Sequence, residues 1–162
     1  MSTSLASSLG LAKIASTDTI REVLRTQISS TARPALHRSS FEPAGGSATE
    51  DWKETVQALS EGVLAVIERA ISKGTDLLLE GVHYVPNKKV IDLWREAGGV
   101  AIGVVLYVSS EERHRGMIAN REKHNGKKVD HYLGNLDRIR EIQEELVLSG
   151  SEFGWLVIDP TK

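Results

Sequence analysis

The chain has 162 residues, and its 20 Lys and Arg stand against 22 Asp and Glu for a net charge of -2. That is the length of one domain able to bury a core without staples, and a 40% hydrophobic, 26% charged composition is that of a globular protein rather than a disordered one. Having no cysteine excludes disulfides, thiolate catalysis, zinc fingers and iron–sulfur clusters, and a charge this near neutral does not suit a general nucleic-acid coat.

In chain order, residues 3–10 are rich in Ser, Ala and Leu and end at Gly10, the pattern of a short helix with a glycine stop. Residues 13–15 are a minimal strand. Ser16 or Thr17 can cap the next helix, where Ile20, Val23, Leu24 and Ile28 recur at helical spacing. Residues 29–50 hold two prolines and Gly45-Gly46 and read as a long loop, a feature that is functional or disordered in compact domains. From Asp51 a long helix carries Val56, Leu59, Val63, Val66, Ile67 and Ala70 on one face and ends at Lys73-Gly74. Residues 75–80 and 100–108 are apolar runs, as expected of strands covered on both faces. A helix is expected over 87–97, a charged helix from Glu111, a loop over 123–130, a helix over 131–148 and a last strand over 155–158. Strands alternating with helices of this length predict an α/β fold: one parallel sheet with helices on both faces, in three layers. No run approaches the ~18 apolar residues of a membrane span. The polar start MSTSLASSLGLAK has no signal-peptide pattern, so a cytoplasmic protein is expected.

In parallel α/β sheets, ligands sit beyond the carboxyl ends of the strands. After the first strand, STDTIREVLR offers Asp18, Arg21 and Arg25. The two arginines are four apart and share a helix face. Their forked donors match a carboxylate or a phosphate, though a solvated helix with Glu22 as surface partner accounts for them equally. After the second strand, LLLEGVHYVP places Glu80 where a carboxylate needs a cation or basic partner, with His83 able to orient a substrate or carry a proton. The other reading is a strand-end turn with a satisfied histidine. From Arg113 to Lys128 there are six Lys or Arg against one Glu, a local charge of +5, with His114 and His124 beside them. Three readings stand open for this patch: a solvated helix and loop, a lid over phosphates, or an RNA contact. The histidines lack the spacing of a metal site.

The segments STDTIREVLR, PALHRSSFE, LLLEGVHYVP, ERHRGMIANRE and LDRIREIQEELV occur in this order in the archaeal 2-phosphoglycerate kinase family, which this chain resembles over nearly its whole length. That family belongs to the P-loop kinases. The resemblance implies transfer of the ATP γ-phosphate to 2-phosphoglycerate, giving 2,3-bisphosphoglycerate, with ATP and magnesium as cofactors. It also implies roles for residues. Asp18, Arg21 and Arg25 look like the acceptor-facing segment, joined by His37, Arg38 and Ser39 from the long loop over 29–50 and by His83. Glu80 looks like the strand-end carboxylate near magnesium and the phosphates. Arg113, Arg115 and Arg121 resemble lid arginines within a basic region over 111–130.

One departure bears on activity. P-loop kinases place an apolar strand and G-x-x-x-x-G-K-[ST] ahead of these segments, and the 162 residues contain neither. The expectation is therefore a single kinase-like domain, N-terminally truncated, without its first, central strand, and catalytically impaired as it stands. A second chain could fill that place. The alternative is a non-catalytic module that binds a phosphorylated metabolite or a protein partner.

Overall fold

The computed structural model describes residues 2–125 and 129–162. Helix α1 (Ser2–Leu9) leads to strand β1 (Ile14–Ser16) and helix α2 (Thr17–Gln27). A short 3-10 turn (Pro34–His37) precedes α3 (Ala48–Ser72), which is followed by β2 (Leu78–Glu80) and α4 (Lys89–Glu96). Then come β3 (Val104–Leu106), α5 (Glu111–Asn125), α6 (Val129–Leu133), α7 (Leu136–Glu152) and β4 (Leu156–Ile158).

Every strand is parallel to its partner, as the long helical crossovers require. The expectation of a single sheet is corrected. β1 pairs with β2, Ser16 opposite Glu80, and β3 pairs with β4, Leu106 opposite Ile158. Among the described residues these are two separate two-stranded sheets. Residues 75–80 and 100–108 thus both contain strands, but β2 pairs with β1 and β3 with β4 rather than with each other. Burial on both faces is corrected too. Val105 is buried against α7, where Gly150 lets its side chain approach closely. The alternate residues Val104, Leu106, Leu156 and Ile158 are exposed, by 42 to 54%. These strands are covered on one face only.

Helix α3 is the spine. Its start is set by a capping box missed in the sequence: Ser47 accepts from the Glu50 amide and Glu50 reaches back to the Ser47 amide, moving the helix start to Ala48. Toward its C-terminal end, Leu59, Val63 and Ile67 pack with Leu36, against Ile20 and Leu24 of α2 and Leu79 of β2. Toward its start, Ala48 and Trp52 pack with Ile142 of α7. Helix α3 therefore carries the β1–β2 pair directly and reaches the β3–β4 pair through α7, and its two clusters hold the loop over 29–50 between them. The loop expected over 123–130 is corrected at both ends: α5 runs to Asn125, because Arg, Glu and Lys continue a helix readily, and α6 starts at Val129. Residues 126–128 of the basic region lie outside the described residues. The helix expected over 131–148 is broken at Gly134-Asn135, where the Asn135 amide group bonds back to the His131 carbonyl. No described helix is long and apolar enough to cross a membrane.

Candidate functional site

The candidate residues are set by three strand or turn ends. Ser16 ends β1 and caps α2 by accepting from the Asp18 amide, so Asp18 and Arg21 lie on the first turns of a helix that begins at the sheet's carboxyl end. Leu36, fully buried against α3, pins the 3-10 turn and thereby delivers Arg38 to the same place. Arg21 donates to the Arg38 carbonyl at 3.2 Å and lies 3.3 Å from the Asp18 carboxylate. Arg38 donates to the Asp51 carbonyl at 2.7 Å and to the Glu54 carboxylate at 2.8 Å. Both guanidiniums are mostly buried, with 17% and 15% of their side chains exposed. Among the described residues the buried Nε–H of each finds no acceptor. The two arginines meet in one corner, with Asp18 and, at 3.9 Å, Glu22 beside Arg21 and Glu54 beside Arg38; forked donors of this kind can bind an anion.

His83 lies under this corner and is fully buried. Its Nδ1 is 3.0 Å from the Thr17 hydroxyl and its Nε2 is 2.8 Å from the Ser40 hydroxyl. Burial pushes its pKa down to about 4, with Asp18 raising it and Arg21 lowering it further. The imidazole is neutral at physiological pH, and its position suits holding the site together better than touching a ligand.

The remaining candidates have other partners. Arg25 pairs with Glu22 at 2.8 Å on the exposed side of α2. His37 donates through Nε2 to the Ile28 carbonyl at 2.8 Å, closing the loop rather than opening toward the corner. The Ser39 amide donates to Glu42 at 2.6 Å. Glu80, at the end of β2, accepts from the Ser2 hydroxyl at the start of α1. On α5, Arg113 reaches the Thr161 carbonyl at 2.5 Å and Arg115 pairs with Glu111 at 3.4 Å. Arg121 lies over the Tyr132 ring, 5.3 Å from its centroid. Phe41 also packs on Tyr132 and His131, so the helix α5–α6 region leans on the loop that carries Arg38. Beyond β4, Asp159 accepts from the Ser109 and Thr161 amides and hydroxyls, which hold its carboxyl well below the usual range and fasten the start of α5. The structure thus brings Asp18, Arg21, Arg38 and His83 together, and gives Arg25, His37, Ser39, Glu80, Arg113, Arg115 and Arg121 separate contacts.

Thr17 and Ser40 were not legible as site residues. Each stands next to a candidate in sequence, but only the burial of His83 between them gives them a role.

Among the described residues no three His, Cys, Asp or Glu cluster as a metal cage. The Ser2 hydroxyl and the Glu80 carboxylate are hard oxygen donors at one point, a pair that fits magnesium held partly by a protein carboxylate and partly by substrate phosphates. A triphosphate cradle is different: no Lys-bearing glycine loop exists in these residues, and they do not fit one.

This is an α/β protein with parallel strands and two arginines meeting near their carboxyl ends, the place where such folds bind ligands. Its relatives are more specific. The chain is related to archaeal 2-phosphoglycerate kinases along almost all of its length. It is 30% identical to the 2-phosphoglycerate kinase of Pyrococcus horikoshii across 98% of this chain and 54% of that protein. Against that of Thermococcus kodakarensis it is 32% identical, covering 98% and 56%. Against that of Methanococcus vannielii it is 34% identical, covering 91% and 51%. The chain spans about half the length of the curated relatives it matches. No family model and no solved structure matches it.

Proposed function

We propose that this chain carries the acceptor site of a phosphotransferase of the 2-phosphoglycerate kinase type, acting within the cytoplasm on a small phosphorylated acid. The observation that supports it most is the meeting of Asp18, Arg21 and Arg38, three residues from two separate segments, in one partly buried corner. In this reading the two guanidiniums bind the phosphate and carboxylate of 2-phosphoglycerate. Asp18 orients the acceptor hydroxyl. Arg25, His37 and Ser39 border the site, and Arg113, Arg115 and Arg121 belong to a basic lid over 111–130. When bound, ATP with magnesium would supply the phosphoryl group that converts the acceptor to 2,3-bisphosphoglycerate. Glu80 and Ser2 would hold the magnesium side.

The two separate strand pairs are compatible with a further strand between them. A parallel strand between β2 and β3 would join them into one sheet, and a strand leading to a phosphate loop would deliver that loop beside Ser2 and Glu80. These residues alone lack the donors for a triphosphate, so they bind the acceptor but turn over far below the ~10 s⁻¹ of an ordinary enzyme. Calorimetric titration of 2-phosphoglycerate into the chain at low salt tests this, alongside a coupled assay with ATP and magnesium. Binding that Arg21→Ala weakens supports the acceptor site. No binding, or binding that Arg21→Ala leaves unchanged, overturns it. Turnover at an ordinary rate would overturn the impaired half of the reading.

A further inference from the structure

Thr17, His83 and Ser40 lie beneath the arginine corner, and we infer that they form one bridge that positions it, with His83 acting through its two neighbours rather than on the substrate. The inference rests on the acceptor site proposed above. Its starting point is that two segments must meet for the corner to exist: the first turn of α2, which carries Asp18 and Arg21, and the loop that carries Arg38.

Those segments pack through Ile20 and Leu24 against Leu36 and share one direct hydrogen bond, Arg21 to the Arg38 carbonyl. Apolar packing is non-directional, so it does not by itself orient the polar ends. The second fastening is His83. Thr17 lies one helical turn before Arg21, and Ser40 lies two residues after Arg38. The imidazole spans them, at 3.0 Å on one side and 2.8 Å on the other. All three side chains are buried: His83 is 1%, Thr17 0% and Ser40 7% exposed. A neutral imidazole has one N–H and one lone pair, and a hydroxyl can donate or accept, so either tautomer satisfies the whole bridge. Gly81 makes room for it. A Cβ there would fall on the Thr17 hydroxyl, so the chain can pass β2 and bring His83 in only with glycine at this point. Two fastenings between the same segments fix both the spacing and the orientation of the guanidiniums, and a bidentate anion site depends on that orientation.

The test separates hydroxyl from shape at Thr17. Thr17→Val keeps the volume and loses the hydroxyl. Thr17→Ser keeps the hydroxyl and loses a methyl. Positioning predicts that Thr17→Val and Ser40→Ala each weaken 2-phosphoglycerate binding about tenfold, the scale of one buried hydrogen bond. Thr17→Ser should bind as the parent does, and the double variant Thr17→Val/Ser40→Ala should be little worse than either single change, because one bridge is broken once. Thermal melting supplies the control. A role in packing alone would make Thr17→Ser the weaker protein and the weaker binder together. A second readout needs no ligand: the side-chain Nε–H resonances of Arg21 and Arg38 should move in Thr17→Val and Ser40→Ala and stay in place in Thr17→Ser. If Thr17→Val binds like the parent with the resonances unmoved, or Thr17→Ser loses as much as Thr17→Val by both readouts, the bridge is only packing and the inference falls. If the parent does not bind 2-phosphoglycerate but the resonances follow the predicted order, the positioning bridge stands and the acceptor assignment falls.

Discussion

Replacing Gly81 with alanine should be among the most costly single-methyl changes in this protein. Gly81 has φ +132, a conformation that L side chains rarely adopt. An added Cβ would lie 1.9 Å from the Thr17 hydroxyl oxygen and 3.0 Å from the Thr17 Cβ. Thr17 cannot move aside cheaply, because it is fully buried and its hydroxyl is held by His83. Three costs therefore add: about 1–3 kcal/mol of backbone strain, about 1–3 kcal/mol of overpacking, and about 1 kcal/mol or more for the buried hydrogen bond. A total of about 3–7 kcal/mol is a large share of the ~5–15 kcal/mol that holds such a domain folded, and lowers the melting temperature on the order of 10 °C. Urea unfolding followed by circular dichroism reads it. Gly74→Ala is the control: Gly74 has φ +56 but open space around the new methyl, so only the strain of about 1–2 kcal/mol remains. Thr17→Ala on the Gly81→Ala background should recover stability that the same change costs in the parent, a coupling of more than about 1 kcal/mol. If Gly81→Ala costs no more than Gly74→Ala, the close approach of β2 to the start of α2 is not what fixes this corner.

Three further outcomes are expected. Between an unfolded value near 6.5 and its folded value of about 4, His83 is protonated only in the unfolded chain. Stability should therefore fall as pH drops through that window, by about 1.4 kcal/mol per unit from this group; His83→Gln should flatten the slope of urea midpoints against pH, and an unchanged slope would contradict the burial. Arg25→Ala should change stability by no more than ~0.5 kcal/mol, since its pair with Glu22 is exposed, whereas Arg38→Ala should weaken acceptor binding by about tenfold or more in calorimetry; the reverse order would move the site to the outer face of α2. Val105→Ala should cost about 1–3 kcal/mol in chemical denaturation, while Leu106→Ser and Ile158→Ser, on the uncovered face of β3 and β4, should cost little; equal costs would mean that this face is covered in solution.

The sequence by itself determined what depends on local chemistry and period. The 3.6-residue recurrence of Leu59, Val63 and Ile67 dictates α3, and the capping residue Ser16 starts α2 at the place it occupies. The apolar runs separated by long helices require parallel strands, and all four strands are parallel. Glu22 as a surface partner of the helix's arginines was likewise legible, and Arg25 takes it. Only the tertiary structure decided how these pieces meet. An apolar run such as 100–108 reads as buried on both faces, yet whether a second layer covers Leu106 and Ile158 depends on contacts with distant segments that no local pattern encodes. For the same reason β2 and β3 look like sheet neighbours in sequence and belong to different pairs in space. In the site, Arg25 and Arg38 were equal candidates; the packing of Leu36 against α3 turns Arg38 inward, while Arg25 is left on the exposed face of α2. His83 shows the reason most directly. A histidine after a strand is compatible with a ligand contact or a buried strut, and what separates the two is desolvation between Thr17 and Ser40, residues 66 and 43 positions away along the chain.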